Sequence, residues 1–286
     1  MRPENPYDLG GTFDHGCYRS DKLLRGHLLH GVREGVRTPD DHPVLITVRL
    51  HHWDSYPLEG LRLPVPGVAP LLFCGPPDRY TPPKVRTVSG TVGAVIESRP
   101  AGVPLSEILG RLDERDIVRI GLGLTAMLAA TDPVHPILGI RPETTYIVGE
   151  PEGMRLGGVA PRSIRILSHH HDGIARAFTH SYEAPELYTT GASAPTTDLF
   201  SAALTLWTGF TGAHAYRVTP HDVDEDVIAA DDRGPFAGPV ELGRILEPIL
   251  RADPATRPSI TQVDDQLRHL AHGWGLEIPP FPPTWD

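Results

Sequence analysis

Residues 137–149 read "ILGIRPETTYIVG", and the segments on either side of them decide the fold. The stretch closes on "TTYIVG", an apolar run rich in β-branched residues, and "MRLGGVA" follows after "EPEG". The two runs are expected to form a short hairpin. Upstream, "PLSEILGRL" and "DERDIVRIGLGLTAMLAA" carry apolar residues at helical spacing. Asp113 is a candidate N-cap for the second of these, with Asp116 three residues on in the place of a capping-box partner. Downstream, "APTTDLFSAALTLWTGFTG" reads as a strongly apolar helix. "PVELGRILEPILRADPATRPSITQVDDQLRHLAHGW" reads as two or three closing helices.

The front of the chain has a different texture. Strands are expected between Lys22 and Leu50, where "HPVLITVRL" follows the polar turn "RTPDDH". "APLLFCG" and "TVGAVIES" are further apolar runs bounded by Gly and Pro, and "RPAG" is a turn. Residues 160–182 are irregular and His-rich. Residues 1–18 are expected to form a flexible arm. Residues 274–286 are expected to form a Pro-rich, extended tail, either a spacer or a segment for an aromatic groove. A β-rich front and a helical back predict an α+β protein.

The formal net charge is −10, with 36 acidic against 26 basic side chains. That balance does not favour a nucleic-acid backbone or an anionic membrane as partner. No apolar run approaches the ~20 residues of a membrane span. The opening "MRPENPYDLGG" lacks the apolar core of a signal peptide, so the chain is expected in the cytosol. Cys17 and Cys74 lie far apart and outside any C-x-x-C spacing, so no disulfide framework is expected.

Four segments, in order, share a resemblance. "AVIESRPAGVPLSEIL" resembles a fifth strand, hinge and following helix, with Glu97 at the hinge. "IRPETTYIV" resembles the end of a catalytic loop, K-P-E-N and an apolar strand. "YEAPE" followed by "DLFSAALTLWTGFTG" resembles the end of an activation segment and a central buried helix. "ILRADPATRPS" resembles the Arg-bearing stretch near the end of a C-lobe. From Val95 to Leu270 the chain thus resembles the eukaryotic-like, bacterial Ser/Thr protein kinase fold family. The resemblance implies a two-lobed α+β fold: N-lobe 19–97, hinge 98–103 and helical C-lobe 104–273. It implies that Glu186 pairs with Arg257, and that Asp198 begins the central helix and accepts N–H bonds from the catalytic loop. Ile137, Leu138 and Ile140 would pack the C-lobe.

The chemical half of the family's pattern is missing. Kinase catalysis is positioning plus charge stabilisation, and needs a Lys on the phosphates, a base, and an Asn and an Asp on the metal ions. Alignment on "RPET" puts Ile137, Leu138 and Gly139 at H-R-D, so the base position is Gly139, and the Asn position is Thr144. D-F-G becomes Gly158, Val159 and Ala160. The Lys position is Thr47, and Arg49 on the same strand face would substitute only under a register slip. In the glycine loop, "LLRGHLLHGV" has Gly26 and Gly31, but Arg25, His27 and His30 take the glycine positions. They would either fill the phosphate space or bind an anion. "HHWDSYPLEGLRL" is too brief for a full regulatory helix, with Glu59 its only acidic candidate to face a strand Lys. That helix is expected to be short or lost.

The resemblance therefore implies a catalytically inactive pseudokinase, a protein-binding scaffold or allosteric signalling partner, with no metal site and no cofactor expected. The alternative is a residual or non-standard ATP-dependent Ser/Thr kinase, or a nucleotidyl or phosphoryl transferase. Glu143 and Glu150 are the nearest replacement carboxylates, and Glu143 belongs to the matching "RPE". A third reading keeps weak, metal-independent ATP or ADP binding through the hinge at Glu97 and Arg99. The His169–His171 loop, like His51 and His52, is a solvated segment or a transient metal site. The acidic stretch 221–232, "HDVDEDVIAADD", is a solvated loop or a docking surface for a basic partner.

Overall fold

The computed structural model describes residues 13–27, 30–38, 40–50, 65–75, 79–80, 92–131, 136–150, 153–161, 182–190, 193–216 and 233–278. The chain is α+β and divides into two compact units. One comprises Met1–Pro64 and Ala69–Arg99, the other Val65–Val68 and Pro100–Asp286. Among the described residues no helix is long and apolar enough to cross a membrane.

The first unit is an antiparallel sheet. Its strands are β1 (Phe13–His15), β2 (Tyr18–His27), β3 (His30–Arg37), β4 (His42–Leu50), β5 (Leu71–Gly75), β6 (Arg79–Tyr80) and β7 (Val92–Ser98). Their order is β5-β7-β4-β3-β2, with the short β1 and β6 continuing the β2 edge. Residues 13–15, inside the stretch expected to be an arm, are thus strand. They are held by pairing with residues on β2 and β6, Phe13 opposite Ser20 and Tyr80. β4 sits centrally, Ile46 opposite Arg33 on β3 and Ile96 on β7. Val44 to Thr47 and Val95 to Ser98 are all buried. Two consecutive buried residues of a strand face opposite ways, so both faces of these strands are covered. The expected regulatory segment, with His51, His52 and Glu59, lies outside the described residues.

The second unit joins a three-stranded antiparallel sheet to helices. β9 (Thr145–Glu150) and β10 (Gly153–Val159) form the expected hairpin, and β8 (Val103–Pro104) pairs with β9. At Gly102, φ is 89°, and a Cβ there would come 2.1 Å from the Ile147 carbonyl oxygen. Only glycine lets the two backbones approach this closely.

Helix α1 (Glu114–Ala129) begins with the expected capping box. The Asp116 N–H donates to Asp113 Oδ1 at 2.8 Å, and the Asp113 N–H to Asp116 Oδ2 at 3.3 Å. The helical spacing of "PLSEILGRL" is misleading. Only a 3-10 turn forms, at Leu105–Glu107. The chain then turns at Gly110, φ 68°, whose N–H donates to the Gly209 carbonyl at 2.8 Å. That tertiary bond replaces a further helical turn.

The remaining helices are the short α2 (Glu186–Thr189), α3 (Thr197–Thr211), α4 (Val240–Ile249) and α5 (Ile260–Gly273). Every residue of α3 from Thr197 to Gly209 is buried. A helix apolar on all sides belongs in the middle of a core. Its polar members bond locally: Thr205 donates to the Ser201 carbonyl and Thr208 to that of Leu204. Ile117, Ile120, Leu124, Phe200, Leu204, Leu246 and Leu267 share one core with α3 at its centre. Each such side chain contributes about 1.5–3 kcal/mol on burial. α5 opens on a second capping box, Ser259 with Gln262.

Candidate functional site

The candidate site is the loop of residues 136–144 that leads into β9, with the groups that hold it. Leu138 has φ 51° and Gly139 has φ 86°, two left-handed residues in succession. A left-handed conformation costs a non-glycine residue about 1–2 kcal/mol, so Leu138 must be held there. Asp198, in the first turn of α3, does so. Its Oδ2 accepts the Ile137 N–H at 2.5 Å and its Oδ1 the Leu138 N–H at 2.9 Å. A carboxylate accepting two backbone donors at a helix N-terminus makes charge-assisted bonds and sits favourably in the helix dipole.

Thr144 closes the other end of the loop. Its hydroxyl donates to the Gly139 carbonyl at 2.6 Å and accepts the Arg141 N–H at 3.2 Å. Its own carbonyl accepts the Ala160 N–H at 2.8 Å. Thr144 is buried, so the one hydroxyl at the expected Asn position is turned back onto its own loop. Gly158 lies opposite Tyr146 at a bulge of β10, with φ 141°. The structure therefore gathers Gly139, Thr144 and Gly158 within one unit. None of these three residues carries a carboxylate.

Arg141 and Glu143 lie within this loop. Arg141 Nε donates to Glu143 Oε2 at 2.6 Å, and the guanidinium lies over the Tyr182 ring, 5.3 Å from its centroid. Burial opposes the Arg141 charge, but the Glu143 carboxylate outweighs it and raises the pKa. Burial also pushes the Tyr182 hydroxyl up to about 12, although it donates to Thr208 Oγ1 at 3.3 Å.

Glu186 and Arg257 form a buried bidentate pair. Nη1 donates to Oε1 at 2.8 Å and Nη2 to Oε2 at 2.7 Å. The Thr197 hydroxyl also donates to Glu186 Oε1, at 2.7 Å. Arg257 Nε donates to the Arg251 carbonyl, Nη2 to that of Ala252, and the guanidinium stacks 4.8 Å from the Phe200 centroid. Burial alone would raise the Glu186 pKa, but the bonds from Arg257 and Thr197 hold it below its ordinary value.

The other expected site residues belong to the first unit. Thr47 is buried in β4 opposite Val32 and Val95, and Arg49 lies two residues on, opposite His30 and Gly93. Arg25, His27 and His30 fall on β2 and β3, where His27 pairs with His30. Glu97 is buried in β7 opposite Leu45 and Leu71. Arg99 Nε lies 3.0 Å from Glu34 Oε1, and the Arg99 N–H donates to the Pro43 carbonyl. Among the described residues no three His, Cys, Asp or Glu side chains are grouped to hold a metal ion. The His169–His171 loop, the acidic stretch 221–232 and residues 279–286 of the tail lie outside the described residues.

Sequence reasoning missed Thr197, Phe200, Tyr182 and the Arg251 and Ala252 carbonyls as partners. Thr197 stood next to Asp198 in "TTD" and was the one legible from position. The others depend on tertiary packing. No known protein-family model matches the chain, and no curated protein matches it.

Proposed function

We propose that the chain is a pseudokinase: a two-lobed kinase-like protein that retains the family's internal supports, lacks phosphoryl-transfer chemistry and acts as a protein-binding scaffold or allosteric signalling partner. In this reading the first unit is the β-rich N-lobe with a short or missing regulatory helix, and the second is the helical C-lobe. The observation that carries it is the Thr144 hydroxyl bonded to the Gly139 carbonyl in a loop that Asp198 holds by its backbone. An active loop needs a base at the first position and a metal ligand at the second. Here the first has no side chain and the second is spent inside the loop.

The magnitudes favour inactivity. A missing general base costs about 10²–10⁴ in rate, and losing metal ligands removes part of the electrostatic stabilisation, usually the largest contribution. Glu143, the candidate replacement carboxylate within the loop, is engaged by Arg141, which weighs against a replacement metal site. The net charge of −10 supports a protein rather than a nucleic acid or an anionic membrane as partner. Weak nucleotide binding through hinge backbone groups at Glu97 and Arg99 is compatible with this reading, because it needs no metal.

The test is phosphoryl transfer from γ-labelled ATP to the protein itself and to a general protein substrate, with Mg²⁺ or Mn²⁺. The expected result is no labelling above the protein-free control. Metal-dependent labelling that heat denaturation abolishes would overturn the proposal.

A further inference from the structure

We draw no further inference here: the strongest candidate, the groove of about 450 Å³ between the end of α4 and the start of α5, lined by Arg251, Thr256, Arg257, Gln262, Asp265 and Gln266, carries nothing because Arg257 is committed to Glu186 and nothing in the structure shows what covers it.

Discussion

Arg257 holds Glu186 through both terminal guanidinium nitrogens, at 2.8 and 2.7 Å, with the guanidinium fully buried. The pair ties the start of α2 to the chain just before α5. Removing one partner leaves a buried charge without its counter-ion. Arg257→Ala should therefore lose about 3–5 kcal/mol, measured by urea denaturation. Arg257→Lys should recover little, because an ammonium cannot reproduce the two-pronged geometry. A loss under about 1 kcal/mol for the alanine variant, the range of exposed pairs, would remove the pair from its supporting role.

The same pair sets an acid limit on stability. Glu186 has a folded pKa below its ordinary 4.5. A carboxyl depressed on folding contributes stability that is present above its unfolded pKa and is lost as pH falls through the folded value. Melting temperature should fall from about pH 5 downward, partly through this group. Glu186→Gln should melt lower at pH 7 and show a flatter acid limb. Parallel limbs for the two proteins would assign the acid sensitivity to other carboxyls.

Asp198 has a different task, because its partners are backbone donors. Asp198→Asn keeps the shape but sets an NH₂ against one of the two N–H groups. The cost should be about 1–3 kcal/mol, that of an unsatisfied buried donor. It should be concentrated where Leu138 is held left-handed. Native-state amide exchange at Ile137 and Leu138 should accelerate far more than in the core of α3. Unchanged protection at both amides would mean that the loop holds its form without the carboxylate.

If the proposed reading holds, placing an acid and an amide at positions 139 and 144 should not produce transfer. Gly139 has φ 86°, which strains any L side chain, and the Thr144 hydroxyl maintains the turn that sets this angle. Gly139→Asp with Thr144→Asn should remain inactive and melt below the wild type. Gly139→Ala alone should cost about 1–2 kcal/mol from the left-handed backbone. Metal-dependent transfer by the double variant would contradict the proposal that this loop geometry cannot support it.

Much of the scaffold was legible because its signals are local. Asp113 with Asp116 predicts an N-terminus from spacing alone, and "HPVLITVRL" predicts a strand from its β-branched residues. The failures are non-local. Leu105, Ile108 and Leu109 have helical spacing, yet the Gly110 N–H is taken by a carbonyl about a hundred residues away in sequence. β1 is too short to announce itself, and exists through its pairing with β2 and β6. At the site, the identities of Gly139 and Thr144 were plain. The left-handed turn of Leu138 and the inward direction of the Thr144 hydroxyl were not, because both follow from where Asp198 and the hairpin place the loop.

The central claim is that the metal-phosphate chemistry is gone, and the most direct test is melting temperature with ATP in the presence and absence of Mg²⁺. A ligand at 100 times its dissociation constant stabilises the folded state by about 2.7 kcal/mol, a readily visible shift. The account predicts that Mg²⁺ adds nothing to whatever shift ATP gives alone. A shift that appears only with Mg²⁺ and ATP together would place a working metal site in the protein and contradict the account.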